Sequence, residues 1–308
     1  MLTIGSRGSQ LAVWQAHWIQ GRLETLGEEC RIEIIKTTGD KITDVALSQV
    51  GTKGLFTKEI EEALLGGAID IAVHSLKDMP TDIPAGLTLA AIPEREDPRD
   101  ALVGRALANL APGARVGTGS LRRAAQLRAL RPDLQIEDIR GNVDTRLRKL
   151  DEGRYDSIVL ASAGLRRLGW EYRITELFDP GIMCPAVGQG ALAVETRDDG
   201  GPGFQAAKRL EHAETRARVT AERAVLASLG GGCQAPMGAH ASIHDKVLYL
   251  LALIVSPDGV QVVRKEMKGH WSDPAALGHA LAEQLLADGG KQILDAVYGA
   301  TPQFTTRP

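Results

Sequence analysis

The chain has 308 residues, enough for two or three domains. Its net charge of −3, with 44% hydrophobic and 24% charged residues, is that of an ordinary folded chain with no global field to recruit nucleic acid, so any anion site must be local. No run of about 18 apolar residues marks a membrane span, the opening Met1-Leu2-Thr3-Ile4-Gly5 reads as a strand and not as an export signal, and three scattered cysteines (Cys30, Cys184, Cys233) fit a reducing cytoplasm better than a disulfide framework.

A strand is expected at 2–4 and a helix at 9–26, with Ser9 as N-cap, Leu11, Trp14, Ile19 and Leu23 as its apolar face and Gly27 as its stop. Strand 31–36, amphipathic helix 56–65 and the apolar strands 69–73 and 87–92 follow. The charge run from Glu94 to Asp100 reads as a solvated loop and a domain linker. The alternation then restarts, with strands 115–117, 134–138 and 157–160 and helices 120–130, 143–150 and a short one reaching 168. A second linker spans 185–190, and 191–195 looks like a strand returning to the first unit. This order predicts two α/β lobes with mostly parallel sheets, joined by two crossings that form a hinge around a cleft. The remainder predicts a small α+β domain with an antiparallel sheet: a long helix over 204–229 stopped by Gly230, Gly231 and Gly232, strands 239–243, 247–255 and 260–267, and helices 274–287 and 291–297. The expected domains are 1–94 with 191–206, 95–190, and 207–308.

Arginine recurs inside frames of small residues: Ser6-Arg7-Gly8-Ser9, Gly117-Thr118-Gly119-Ser120-Leu121-Arg122-Arg123 and Arg140-Gly141-Asn142, with Arg146 following. Small residues let backbone N–H groups approach a ligand, and guanidinium forks grip carboxylate or phosphate in bidentate fashion. Codon preference would explain why 96–184 has fourteen Arg and one Lys, but not these frames. The frame at 117–120 follows a strand and opens a helix, a place suited to anions. Arg122 stands where a dinucleotide fingerprint needs its third glycine, and no phosphate loop is present, so carboxylate binding is favoured over nucleotide binding.

His74-Ser75-Leu76-Lys77-Asp78-Met79-Pro80 follows an apolar strand, where open α/β sheets place ligands. Lys77 and Asp78 read either as a loop ion pair or as ligand contact and catalytic carboxylate, and His74 reads as structural. Cys233, on the loop Gly230-Gly231-Gly232-Cys233-Gln234-Ala235-Pro236, reads either as a free thiol or as a point of covalent attachment. His240 and His244 fall in a strand and turn, and no metal site is expected.

Taken with Ser6 to Ala12, Val50-Gly51-Thr52-Lys53-Gly54-Leu55-Phe56, Val73 to Pro80, Glu94 to Asp100, Arg140 to Val143 and Pro185 to Gly190, these segments resemble the porphobilinogen deaminase (hydroxymethylbilane synthase) family across nearly the whole chain. The resemblance implies two lobes similar to class II periplasmic binding proteins, plus a third domain whose Cys233 carries a dipyrromethane cofactor through a thioether. It implies that porphobilinogen units lose ammonia and join this primer in turn, and that a tetrapyrrole, hydroxymethylbilane, is released. Asp78 matches the family's catalytic carboxylate. Ser75, Lys77, Thr118, Ser120, Arg122, Arg123, Arg140 and Gly141 match cofactor contacts, and Arg7, Ser9, Lys53, Phe56, Arg146, Arg167 and Gln189 match substrate contacts. A cytoplasmic monomer with a small-molecule substrate and no nucleic-acid or membrane partner is implied. Gln10, Gln49 and Gly119 depart from the family's usual proline, lysine and serine. A two-lobed anion-binding protein and a nucleotide-dependent enzyme are the alternatives, and neither has a use for a covalent primer on Cys233.

Overall fold

The computed structural model describes residues 1–38, 57–230 and 235–299. Lys53, Phe56 and Cys233, and the Gln49 departure, lie outside them. The first lobe opens with β1 (Leu2–Ser6), buried throughout, then α1 (Gln10–Thr25), whose N-cap Ser9 accepts a bond from the Ala12 N–H at 3.3 Å. Ile19 and Leu23 enter the core as expected, whereas Leu11 and Trp14 are only half-buried. β2 (Cys30–Ile34), α2 (Lys58–Leu65), β3 (Ile71–Ser75) and β4 (Leu87–Ala91) complete the run before the first linker.

The second lobe holds β5 (Asp100–Gly104), β6 (Arg115–Gly117), α3 (Leu121–Leu130), β7 (Gln135–Glu137), α4 (Val143–Asp151), β8 (Ser157–Ala161), α5 (Ser162–Arg167) and β9 (Glu176–Leu177). After the second linker, β10 (Leu192–Arg197) rejoins the first sheet, whose order is β2-β1-β3-β10-β4, while the second sheet runs β7-β6-β8-β5-β9. In each five-stranded sheet four strands share one direction, and the strand formed just after a linker runs against them: β10 against β3 and β4, β5 against β8 and β9.

The charge run 94–100 is not a solvated loop. Asp100 is fully buried and starts β5, and the Arg95 side chain is 2% exposed. Both find opposite charges far away in sequence, which a local reading of polarity misses. The linkers lie side by side, Glu96 N–H donating to Gly190 C=O at 3.2 Å. Gly190 has φ +85, and a Cβ there would sit 2.3 Å from the Glu96 carbonyl, so the crossing demands glycine.

The single helix expected over 204–229 is two, α6 (Pro202–Lys208) and α7 (Ala213–Ser228). His212 breaks it by adopting extended backbone and capping α7 through its ring, while its N–H donates to Ile92 C=O at 3.0 Å and Glu211 accepts from Ile92 N–H at 2.6 Å. Phe204, Ala206, Ala207 and Leu210 pack with the first lobe's core, so that packing continues past residue 206. The C-terminal unit layers α7, α8 (Pro274–Leu285) and α9 (Lys291–Gly299) on an antiparallel sheet of β11 (Met237–His244), β12 (Val247–Val255) and β13 (Val262–His270).

That unit grips both linkers through one carboxylate. Glu222 of α7, fully buried, accepts two bonds from Arg95 (2.6 and 3.1 Å), one from the Gly188 N–H and one from the Ala241 N–H, both at 2.8 Å. A charge taken so far from water persists only with a complete set of donors.

Candidate active site

A cavity of about 380 Å³ opens between the lobes. The first lobe contributes Arg7 and Ser9 from the loop after β1, and Ser75, Lys77 and Asp78 from the end of β3 and the single 3₁₀ turn Leu76–Asp78 beyond it. The second contributes Arg123 from α3, Arg140 and Gly141 from the loop before α4, Arg146 from α4 and Arg167 from α5. Gly190 and Ala191 close it at the hinge. Strand ends that face one another across two lobes are where α/β sheets leave backbone and loop groups free to meet a ligand.

Among the described lining residues, six Arg and Lys face two carboxylates, Asp78 and Asp144. The cations are held in place. Arg140 bonds Asp138 at 2.8 Å, Arg146 donates to the Gly141 carbonyl at 2.8 Å, and Arg167 donates to the Gly190 carbonyl at 2.7 Å with its guanidinium 5.9 Å from the Trp14 ring centroid. Burial pushes Arg146 down to about 10, with repulsion from Arg123 and Arg140 adding to it, and burial pushes Arg167 to about 10 as well. Both remain charged near neutrality, in an environment that gains from an incoming anion. Lys77 is pushed down to about 8, chiefly by burial, with neighbouring Asp78 opposing and Arg123 assisting. Asp78 itself is exposed at the cavity.

Arg122 and Arg123, adjacent in sequence, part ways. Arg122 is directed away from the cavity lining, its guanidinium bonded to Asp100 at 2.6 and 3.2 Å and to the Cys184 carbonyl at 2.6 Å. Arg123 lines the cavity while bonding Asp100 at 2.9 Å, the Val159 carbonyl at 3.1 Å and Gln189 at 3.3 Å. Burial would raise the Asp100 carboxyl, but the two guanidiniums hold it far below the usual range. Gln189 belongs to this buried knot, donating to Asp100 at 2.8 Å and to the Pro98 carbonyl at 2.6 Å, and does not line the cavity. Thr118 and Ser120 are also outside the lining: Thr118 accepts from the Ser120 N–H at 3.2 Å, and Ser120 caps α3 through the Arg123 N–H. The helix start at 117–120 thus spends its polar groups on its own cap.

Gln15 lines the cavity without having been singled out from the sequence. It is buried and donates from Nε2 to Ser75 Oγ at 3.0 Å, fixing that hydroxyl from behind. Its signal is a polar residue inside the four-residue stripe Leu11, Gln15, Ile19, Leu23 of an amphipathic helix.

Residues 2–201 match the family model described as porphobilinogen deaminase, dipyromethane cofactor binding domain, and 216–287 match porphobilinogen deaminase, C-terminal domain. The chain belongs to the porphobilinogen deaminase family. Curated porphobilinogen deaminases similar to it include that of Trichlorobacter lovleyi, 52% identical over 301 residues covering 96% of both chains, and that of Roseiflexus castenholzii, 53% identical over 298 residues covering 95% of this chain and 98% of the other. That of Synechococcus elongatus is 49% identical over 315 residues, covering this chain entirely and 97% of the relative. The solved methionine binding protein MetQ overlaps 68% of this chain and 89% of its own, with 13% identity and a TM-score of 0.45. The first two lobes, from β1 to β10, therefore correspond to the cofactor-binding domain of a porphobilinogen deaminase, and α7 to α8 to its C-terminal domain. A cavity rich in guanidinium between those lobes fits a cofactor that carries several carboxylates. Among the described residues no group of His, Cys, Asp and Glu is placed to hold a metal, and no helix is long and apolar enough to cross a membrane.

Proposed function

We propose that this chain is a transferase, hydroxymethylbilane synthase, joining four porphobilinogen molecules head to tail with release of ammonia. The observation that supports it most is the interlobe cavity itself, in which Asp78 from one lobe faces a bank of arginines from the other. Each pyrrole of such a product carries an acetate and a propionate, so the bound chain is a polycarboxylate and the cavity its complement. Arg7, Arg123, Arg140, Arg146 and Arg167 bind the carboxylates, and each charge-assisted bond contributes about 1.5–3 kcal/mol. Ser75, held by Gln15, and Lys77 contact ligand beside Asp78. Arg122, Gln189, Thr118 and Ser120 act indirectly, by setting the backbone and guanidinium of Arg123.

When bound through Cys233, dipyrromethane supplies the primer that keeps the growing chain tethered. Asp78 is the catalytic group. Loss of ammonia leaves a cationic methylene-pyrrole, which a carboxylate favours by attraction in a site partly shielded from water, and the same carboxylate takes or returns a proton at the pyrrole nitrogen. An arginine in its place would oppose the cation. The protein works as a monomer in the cytoplasm, in keeping with the free thiols of Cys30 and Cys184, with domain limits near 94, 190 and 206.

The deciding experiment is the intact mass of the purified protein with an acidic aldehyde colour test. The wild type is expected to carry the added mass of dipyrromethane and give the colour, and Cys233→Ser to show neither and to be nearly inactive. Normal turnover with no covalent adduct would end the proposal.

A further inference from the structure

Behind the wall of the cavity lies a polar layer that the reaction outlined above leaves unused. His74 is buried, lines the cavity and places Nε2 3.2 Å from Glu195 Oε2. Glu195 of β10 is wholly buried, and its second oxygen, Oε1, has no hydrogen-bond partner. β3 and β10 are antiparallel neighbours with His74 opposite Ala193 and Ala72 opposite Glu195, so His74 and Glu195 emerge on the same face of the sheet. α2 covers that face, with Ile60 and Leu64 clustering with Ala72. Glu61, on the same helix, is buried too, and its Oε1 also lacks a partner. One turn earlier Thr57, 2% exposed and part of the cavity lining, leaves its Oγ1 unpartnered as well.

Buried carboxyl oxygens without partners on both Glu195 and Glu61 are a costly arrangement if both groups are ionised. A buried carboxylate lacking its donors costs several kcal/mol, and two such groups repel each other. One proton relieves both problems, because a carboxylic acid turns one acceptor into a donor. Glu61 is the carboxyl that holds it. Burial raises its affinity for a proton and Glu195 adds to this, while the neighbouring Thr57 hydroxyl and His74 act the other way; across the helix–sheet contact, Glu195 and His74 are the titratable groups that Glu61 meets.

We propose that Glu61, Glu195 and His74 form one buried network in which Glu61 holds a proton, and that Glu61 and Glu195 are positioning residues for the His74 edge of the cavity. Through β3 they also set the backbone that leads into Ser75, Lys77 and Asp78. Ionising Glu61 would put a second uncompensated negative charge under the cavity wall and loosen that edge. The part of the proposal that concerns turnover rests on the function proposed above. The part that concerns the proton does not.

The test is a carbon-13 titration of glutamate carboxyls in the purified full chain, with the Glu61 signal assigned by its loss in Glu61→Gln. Ordinary glutamate ionises near pH 4.3. We expect Glu61 to remain protonated well above that value, and a Glu61 signal that titrates with the other glutamates overturns the network. Stability supplies a second reading. A carboxyl whose folded pKa is raised contributes stability that is present below the unfolded value and lost as pH rises through the folded one. Glu61→Gln, which keeps a donor at the same place, should therefore gain stability relative to wild type as pH rises, and a difference independent of pH overturns the proposal. For turnover, kcat/KM should decline more steeply on the alkaline side in the wild type than in Glu61→Gln, because ionisation of Glu61 adds to the loss of charge at Lys77, and identical alkaline limbs would remove the positioning role of Glu61. Glu195→Gln, which retains an acceptor for His74, should keep more activity than Glu195→Leu; equal losses would remove the positioning role. A wild-type chain without covalent cofactor would defeat the proposed function while leaving the titration result to stand by itself.

Discussion

The first lobe meets the cavity with a mixture of groups, Arg7, Ser9, Gln15, Ser75, Lys77 and Asp78, whereas the second meets it chiefly with guanidiniums, Arg123, Arg140, Arg146 and Arg167. Both lobes are built alike, four strands sharing one direction plus one antiparallel strand supplied just after a linker. What separates them is how they anchor their polar groups. The second lobe sinks a carboxylate, Asp100, beneath its cavity wall and aims arginines around it. The first sinks Glu195 and His74 and leaves its own carboxylate, Asp78, exposed at the cavity. On the function proposed above, buried charge in the second lobe would preorganise anion binding, and Asp78 of the first lobe would serve proton and cation chemistry.

The sharpest way to break this comparison is to remove the buried anchor. Arg122→Leu takes one of the guanidiniums from Asp100, and breaking a buried pair costs about 3–5 kcal/mol. We expect a large drop in the denaturation midpoint of Arg122→Leu, with the ligand defect following from displacement of Arg123. A variant of wild-type stability whose defect is confined to ligand affinity would place Arg122 in direct ligand contact.

On the other side of the cavity, Asp78→Asn keeps shape and loses charge. Turnover of porphobilinogen should fall by at least about 10²-fold with the fold and thermal midpoint unchanged. A near-normal kcat would move the catalytic role to another acid, and Asp144 is the other described carboxylate at the cavity.

Arg140→Leu and Arg146→Leu should each weaken binding of a pyrrole carboxylate by about 1.5–3 kcal/mol, tenfold or somewhat more, measured by calorimetry or as a rise in KM. Their partners, Asp138 and the Gly141 carbonyl, lie at or near the surface, so stability should change little. If these changes altered kcat alone, the division between binding and chemistry would not follow the lobes.

The smallest effect concerns Lys77. It is protonated below about pH 8 and loses its charge above it. Affinity for an anionic ligand should therefore decline as pH rises through about 8, by roughly tenfold at most, and Lys77→Arg should keep its affinity over that range. A pH-independent affinity in the wild type would show that Lys77 does not face the bound anion.

Much of this protein is written locally. The alternation of strand and helix through both lobes, the Ser9 and Ser120 caps, the two linkers and the antiparallel C-terminal sheet follow from apolar periodicity and from glycine and proline placement, which act over a few residues. The frames around Arg7, Asp78, Arg140 and Arg146 likewise identify residues that meet at one cavity, because Arg7, Asp78 and Arg140 sit at or just beyond a strand end and Arg146 in the first turn of the helix that follows. Other features depend on partners that only folding brings together. Nothing in Leu121-Arg122-Arg123-Ala124 tells one arginine from the next: both bond Asp100, 22 residues upstream of Arg122, but Arg122 also bonds the Cys184 carbonyl away from the cavity while Arg123 reaches its lining. The charged stretch 94–100 reads as solvated until Glu222 and Arg122 are found facing it. The break at His212 depends on the end of β4, 120 residues earlier in the chain. Local preference is worth tenths of a kcal/mol per residue, whereas a buried charge without a partner costs several, so wherever the two compete the tertiary pairing decides.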